Sequence, residues 1–311
     1  MLEQTKTPTS AYWIIFVGLI SISISPILVR LAGDTPALSL AALRNVIAVL
    51  ILTPLAIRDK SWSFFKLENK VKLRTVLAGI LLGFHFYMFF EAIQRTTVAS
   101  ASVFVSITPI FLAILGYFFL KEKLSRHVLI AILVAVCGGL LIAYGDTAKN
   151  VVAKDPVLGN ILALGACLFV SIYLIIGRMT RQKMSWLAYV YPMYVSSACT
   201  VLFLTLVTNT PLFGFETEVY LLCGVMAIGP HILGHGSFNY AVKYFSATFL
   251  GLLSLSEPIG ATFMAFVLFD ELPGMVSIIG MVLTLIGVCI ALYPGLKRIR
   301  VEPENPLSEA A

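Results

Sequence analysis

The sequence predicts an all-α membrane protein in which ten transmembrane helices form two inverted-topology five-helix repeats around a central cavity. The 311-residue chain is 59% hydrophobic and only 12% charged, whereas soluble domains carry about 25% charged residues. We therefore expect lipid to be its solvent. Residues 97–124 and 246–273 match at a constant shift of 149, which aligns Pro109 with Pro258. A duplicated unit with interrupted helices is typical of membrane proteins whose site lies between two halves.

Ten apolar stretches have about the 20 residues that a helix needs to cross a bilayer. Turn-forming or charged residues separate them. The predicted spans are residues 11–31, 37–57, 75–94, 98–120, 127–145, 157–177, 187–208, 218–239, 247–269 and 275–294. The corresponding domains are an N-terminal segment 1–10, a first repeat 11–145, a connector 146–156, a second repeat 157–294 and a tail 295–311.

The distribution of positive charge predicts the orientation of these spans. If the N-terminus is cytoplasmic, the inner segments hold 17 Lys and Arg residues and the outer loops hold 3. This asymmetry places both termini in the cytoplasm and the connector 146–156 outside it. It also accounts for the net charge of +6 without a nucleic-acid partner. Because five spans per repeat is an odd number, the second repeat must be inserted in the opposite sense.

Several short motifs recur in the two halves and suggest a family. They are Ala99-Ser100-Ala101, Pro109 and Glu122, then His85-Phe86, and finally Gly234-His235, Phe238-Asn239-Tyr240, Ser246-Ala247-Thr248, Glu257-Pro258 and Glu271. Together with the ten spans, these motifs resemble the EamA-type exporters of the drug/metabolite transporter superfamily over about residues 11–294. The resemblance implies ATP-independent export of small metabolites, amino acids or drugs through a central cavity. It also implies a bacterial inner membrane.

Glu257 lies near the centre of the ninth span, directly before Pro258. A charged group at that depth costs at least about 2.5 kcal/mol, so ionisable residues inside spans are functional candidates. Proline interrupts the helix and frees a carbonyl group of the preceding turn. We expect Glu257 to bind a proton or a substrate amine. The alternative is a carboxyl group that only ties the ninth span to its neighbours.

Two histidines occupy nearly equivalent places in the two halves, His85 in the third span and His235 in the eighth. Imidazole can both donate and accept hydrogen bonds, so we expect both side chains to flank the substrate pathway. Asn239 lies one helical turn from His235 and is predicted to face the same way. The alternatives are histidines bonded to backbone carbonyls and an asparagine that only joins helices.

The remaining predicted pathway residues are uncharged. They are Ser25, Ser106 and Ser254 in polar stripes, and Tyr87 among the aromatic residues of the third span. The serines can line a cavity or let helices pack closely. Pro109 and Pro258 are the predicted helix breaks.

Three charged residues, Arg30, Arg44 and Glu91, fall toward the outer ends of their spans. They are predicted to form a latch at the outer mouth of the protein. The alternative for Arg30 and Glu91 is that they snorkel to the membrane surface. For Arg44, which lies deeper in its span, the alternative to the latch is a role in the substrate pathway.

The sequence therefore predicts a secondary active or facilitative transporter that exports small zwitterionic or cationic metabolites by alternating access. Its expected partners are a small-molecule substrate and the bilayer, with protons as a candidate coupling ion, and it acts as a monomer or a homodimer. We expect neither a cofactor nor a resident metal. One alternative is a divalent-metal transporter that uses His231 and His235, which are four residues apart. The other is an intramembrane enzyme, although no catalytic motif is present.

Overall fold

The computed structural model describes residues 7–59, 61–96, 101, 107–122, 125–147, 154–182, 184–269 and 274–300. These residues form helices and short connections, with no strand among them. The α-helices are Thr9–Ser23, Ser25–Leu31, Ala37–Arg58, Asn69–Arg95, Thr108–Leu115, Arg126–Thr147, Pro156–Arg181, Trp186–Thr208, Thr217–Met226, Gly236–Ala241, Ala247–Ser254, Glu257–Phe269 and Met275–Arg300. A 3₁₀-helix covers Ser61–Lys66, and π-helical turns cover Gly116–Leu120 and Ala227–His235.

Seven helical segments of the described chain are long and apolar enough to cross a membrane. They are Thr9–Leu31, Ala37–Arg58, Asn69–Arg95, Val157–Arg181, Trp186–Thr208, Thr217–Ala241 and Ala247–Leu268. Three shorter apolar helices, Thr108–Leu120, Arg126–Leu141 and Met275–Ala291, overlap the other predicted spans. The prediction of an all-α membrane protein is thus confirmed. The count of ten spans and their inverted arrangement stay predictions.

Close helix packing brings the two halves of the sequence together. Helix Asn69–Arg95 packs against both Pro156–Arg181 and Trp186–Thr208. A Cβ atom added to Gly79 would collide with the carbonyl oxygen of Met193, so only glycine permits this approach. Large apolar side chains on the outside remain exposed, for example Phe118 at 71%. This pattern suits a protein whose outer surface faces acyl chains.

Three of the membrane-spanning segments are irregular in their middle. The first breaks between Ser23 and Ser25, and Ala247–Ser254 ends shortly before Glu257–Phe269 begins. The segment Thr217–Ala241 instead widens into the π-helical turn, which contains Pro230. Proline lacks the backbone N–H that a regular helix needs, and π-helical turns often mark functional sites. All three irregular regions contribute to the cavity described next.

Candidate functional site

A cavity of about 70 Å³ lies between the two halves of the sequence, and we call it the central cavity. Both halves supply polar side chains to it: Ser25, Arg44, His85 and Thr108 from the first, and Tyr173, His235, Ser254 and Glu257 from the second. Its apolar wall includes Ile22, Phe86, Phe89, Val170, Leu174 and Phe238. The volume suffices for a few water molecules. Pockets for small organic ligands usually measure about 300–1,000 Å³, so a substrate would require the helices to move apart.

Glu257 occupies the first turn of helix Glu257–Phe269 and lines the central cavity. The helix is interrupted just before Glu257, so the N-terminal end of helix Glu257–Phe269 lies inside the protein. That end carries partial positive charge from the helix dipole, which favours a carboxylate in the first turn. The interruption at Pro258 thus places an acidic side chain where the fold itself can stabilise it.

His85 and His235 meet at the central cavity, where their ring centres are 5.6 Å apart and their planes are inclined by 66°. Nδ1 of His85 donates to the carbonyl oxygen of Ala166 at 2.8 Å, because a carbonyl oxygen can only accept. In the neutral ring, Nε2 of His85 is therefore an acceptor. Nδ1 of His235 lies 3.1 Å from the hydroxyl group of Tyr173.

Arg44 lines the central cavity. The latch prediction would instead place it beside Arg30 and Glu91. Its side chain is only 1% exposed. Nε donates a long hydrogen bond of 3.4 Å to Nδ1 of His231, and the guanidinium carbon lies 4.0 Å from the ring centre of Phe86. Among the described residues, Nη2 of Arg44 has no hydrogen-bond partner.

The other two residues of the predicted latch are Glu91 and Arg30. Glu91 forms an ion pair with Arg95 at 2.6 Å, and Arg30 is exposed in the last turn of helix Ser25–Leu31. Arg44 differs because helix Ala37–Arg58 begins seven residues before it, which puts it about 10 Å along the helix axis. Arg44 thus lines the central cavity, and the latch of Arg30, Arg44 and Glu91 stays a prediction.

The remaining predicted residues divide between the central cavity and its surroundings. Ser25 and Ser254 line the cavity, whereas Tyr87 packs against the hydrophobic core. Asn239 is fully buried, and its Nδ2 donates to the carbonyl oxygen of His235 at 2.8 Å. This contact lies within one membrane-spanning segment, and Oδ1 of Asn239 is buried without a hydrogen-bond partner among the described residues. Pro109 lies in the first turn of helix Thr108–Leu115. Ser106 lies outside the described residues.

Two residues that bring hydroxyl groups to the central cavity, Thr108 and Tyr173, were not predicted from the sequence. Tyr173 is fully buried, and its hydroxyl group lies beside His235. The hydroxyl group of Thr108 lies 3.0 Å from Sγ of Cys167. A tyrosine in the middle of an apolar span is a usable signal, because its hydroxyl group needs a partner when it is buried. Thr108 offers no comparable signal.

The arrangement around His231 bears on the hypothesis of a metal transporter. His231 is fully buried between Tyr194 and Phe86, and its Nδ1 accepts from Arg44. Within the described ranges, no group of three His, Cys, Asp or Glu side chains is placed to hold a metal ion. A guanidinium group beside His231 would also repel a divalent cation. The geometry therefore gives the metal hypothesis no support.

Comparison with solved structures shows the fold. One crystal structure superimposes with a TM-score of 0.77, covering 95% of this chain and 100% of the other at 18% sequence identity. At that identity, the similarity concerns the fold alone.

Comparison of sequences shows the family. An uncharacterized transporter of Clostridium kluyveri is 25% identical over 79% of this chain and 80% of its own length. The pseudopaline exporter CntI of Pseudomonas aeruginosa is 25% identical over 87% of this chain and 91% of its own. Solute carrier family 35 member G1 of Mus musculus is 23% identical over 81% and 69%. Residues 9–144 and 157–293 each match the EamA-like transporter family. The chain therefore belongs to the EamA-like transporter family and is an integral membrane transporter, not an enzyme.

Proposed function

We propose that the protein exports small zwitterionic or cationic metabolites, such as amino acids, through the central cavity. The observation that carries this proposal is the presence of Arg44 and Glu257, opposite charges from the two halves of the chain, in the wall of one buried cavity. No carboxylate among the described residues lies within 4.0 Å of the Arg44 guanidinium group. A ligand with both charges would complement this wall.

The size of the central cavity supports alternating access as the mechanism. At about 70 Å³ the cavity is too small for a metabolite, so the halves must separate to admit one. We propose that the ten predicted spans form two inverted repeats, residues 11–145 and 157–294, which rock against each other. Both termini would be cytoplasmic, with the protein in a bacterial inner membrane. The relative from Pseudomonas aeruginosa is named an exporter, which supports outward transport.

Proton coupling is part of the same proposal. Glu257, His85 and His235 all line the central cavity, and each can bind or release a proton. Substrate and protons would then compete for these groups in successive steps of the cycle. Whether one protomer or a homodimer is the working unit does not change this chemistry, because the residues belong to one chain.

The test uses proteoliposomes loaded with a mixture of the proteinogenic amino acids, whose efflux is followed by mass spectrometry. Glu257→Gln and His235→Ala should each lower the efflux at least about tenfold, the equivalent of 1.4 kcal/mol, without loss of membrane insertion. Glu216→Gln and His127→Ala are matched controls, since both side chains are exposed and lie outside the central cavity. Normal efflux in both cavity variants would overturn the proposal.

A further inference from the structure

The strongest unexplained feature of the central cavity is the incomplete set of hydrogen bonds around Arg44. Its Nε donates to His231. Its guanidinium carbon lies 4.0 Å from the ring centre of Phe86 and 5.2 Å from that of Phe90. Nη2 is buried without an acceptor in the described part of the chain. Arginine stays charged in proteins, and an incompletely paired buried charge costs several kcal/mol. We therefore expect Arg44 to have a role in function.

The contacts of Arg44 hold it in one orientation while they leave part of it free. Because Nδ1 of His231 accepts from Arg44, the neutral His231 ring carries its proton on Nε2. The guanidinium carbon lies over the Phe86 ring, 4.0 Å from its centre, so the ring limits the movement of the group on that side. The donors that remain form a planar fork, which matches the two oxygen atoms of a carboxylate. Arginine is used in proteins for this bidentate recognition.

We propose that Arg44 binds the carboxylate group of the transported molecule, and that His231 and Phe86 are positioning residues for it. This inference rests on the proposed function and adds the residue that determines specificity. The substrate amine would then lie toward Glu257, which also lines the central cavity.

The charges in the central cavity predict which ligands the site prefers. Arg44 contributes a positive charge to the central cavity, and Glu257 contributes a carboxyl group that is negative when it has released its proton. A zwitterion that binds between them leaves the sum unchanged. A substrate that carries only an amine would leave the charge of Arg44 without a partner, which is costly in a buried site. The site should therefore prefer an amino acid over its amide and over the amine that decarboxylation produces.

The experiment measures ligand-induced stabilisation of the purified full-length protein in detergent. Proteinogenic amino acids are screened one by one, and the strongest binder is compared with its amide and its decarboxylated amine. The wild type should bind the amino acid about 10- to 100-fold more tightly than either analogue, as expected for hydrogen bonds to a charged group. Arg44→Gln should abolish this preference, and Arg44→Lys should retain part of it. Arg126→Gln is the control, because Arg126 is exposed.

Each outcome decides a separate question. If no amino acid binds the wild type, the proposed function fails, and the role of Arg44 fails with it. If the amino acid and its amide bind equally well, the proposed function stands and only the role of Arg44 is overturned. The preference ratio also separates recognition from folding, since a purely structural Arg44 would weaken all three ligands alike. Should Arg44→Gln not fold, Arg44→Lys decides: an unchanged preference and affinity would contradict the bidentate contact.

Discussion

Two arginines of this protein are almost equally buried, Arg44 at 1% exposure and Arg181 at 2%, yet their surroundings differ. Arg181 donates from Nε to the carbonyl oxygen of Asn239 at 2.9 Å and from Nη1 to that of Met184. Arg44 has one long hydrogen bond to a histidine and a donor with no acceptor in the described structure. Burial alone therefore does not identify a binding residue. What distinguishes these two arginines is how many of their donors have acceptors.

The position of each arginine in its helix explains the difference. Arg181 is the last residue of helix Pro156–Arg181 and lies beside the end of Gly236–Ala241. The last carbonyl groups of a helix have no partners within it, and basic side chains commonly satisfy them. Arg178 also donates to such carbonyl oxygens, those of Val242 and Lys243 at 2.6 and 2.8 Å, while its Nε has no partner among the described residues. Arg44 lies inside helix Ala37–Arg58, and the hydrogen bond that it forms goes to a histidine ring and not to a helix end.

The largest expected effect is a loss of stability in Arg181→Met. The substitution removes two hydrogen bonds from a charged donor, each with a contribution of about 1.5–3 kcal/mol, and leaves buried carbonyl groups unpaired. We expect the free energy of unfolding to fall by about 3–6 kcal/mol. Thermal unfolding of the purified protein measures it, with Arg126→Met as the exposed control. Equal midpoints for the two variants would contradict the structural role of Arg181.

The second effect concerns Arg44→Met, which should abolish transport and leave the stability of the protein almost unchanged. Removal of an incompletely paired buried charge also removes the cost of its desolvation, which offsets the contacts that are lost. The lost contact with Phe86 contributes only about 0.5–2 kcal/mol. We expect a free energy of unfolding within about 1 kcal/mol of the wild type, together with loss of amino-acid efflux. If Arg44→Met is as unstable as Arg181→Met, the distinction between the two arginines is wrong.

The third effect is a pH dependence near Arg178. Glu122 follows the helical segment that ends at Leu120, and its carboxylate accepts a hydrogen bond of 3.4 Å from Thr248. Burial raises the pKa of Glu122, while the nearby Arg178 partly counteracts that shift. Since the folded state then holds the proton more tightly, the contribution of Glu122 is present below its ordinary pKa. It is lost as the pH rises through the raised value.

Glu122→Gln should flatten this part of the stability profile and make the protein more stable at neutral pH. Thermal unfolding between about pH 4 and pH 8 covers the range between the ordinary pKa and neutrality. Glu218→Gln serves as the control, because Glu218 is exposed. A profile in which stability rises with pH would instead mean that the attraction to Arg178 outweighs the effect of burial.

The sequence was sufficient to predict the features that depend on local chemistry. Long apolar stretches predict membrane helices, and the proline at position 258 predicts the interruption that exposes Glu257 to the central cavity. His85 and His235 were also predicted to flank one pathway, and their rings approach each other. Each of these predictions follows from properties of one segment or from the repeat.

The sequence was not sufficient where the outcome depends on which helices are neighbours. For Arg44 a latch role and a pathway role both stayed open, because its depth within a span does not reveal that His231 and Phe86 contact it. The π-helical turn Ala227–His235 rotates the side chains that follow it relative to a regular helix. Pro230 signals a disturbance there, but not its kind.

The smallest expected effect lies at the opposite end of helix Pro156–Arg181 from Arg181. There Lys154 and Asp34 form an ion pair of 3.1 Å, with side-chain exposures of 72% and 97%. Water and salt screen such a pair, which typically contributes about 0–1 kcal/mol. Lys154→Ala should change the free energy of unfolding by less than about 0.5 kcal/mol, and the change should vanish at high salt. A loss comparable to that of Arg181→Met would mean that charge, and not the completeness of buried hydrogen bonds, determines which ionic contacts stabilise this protein.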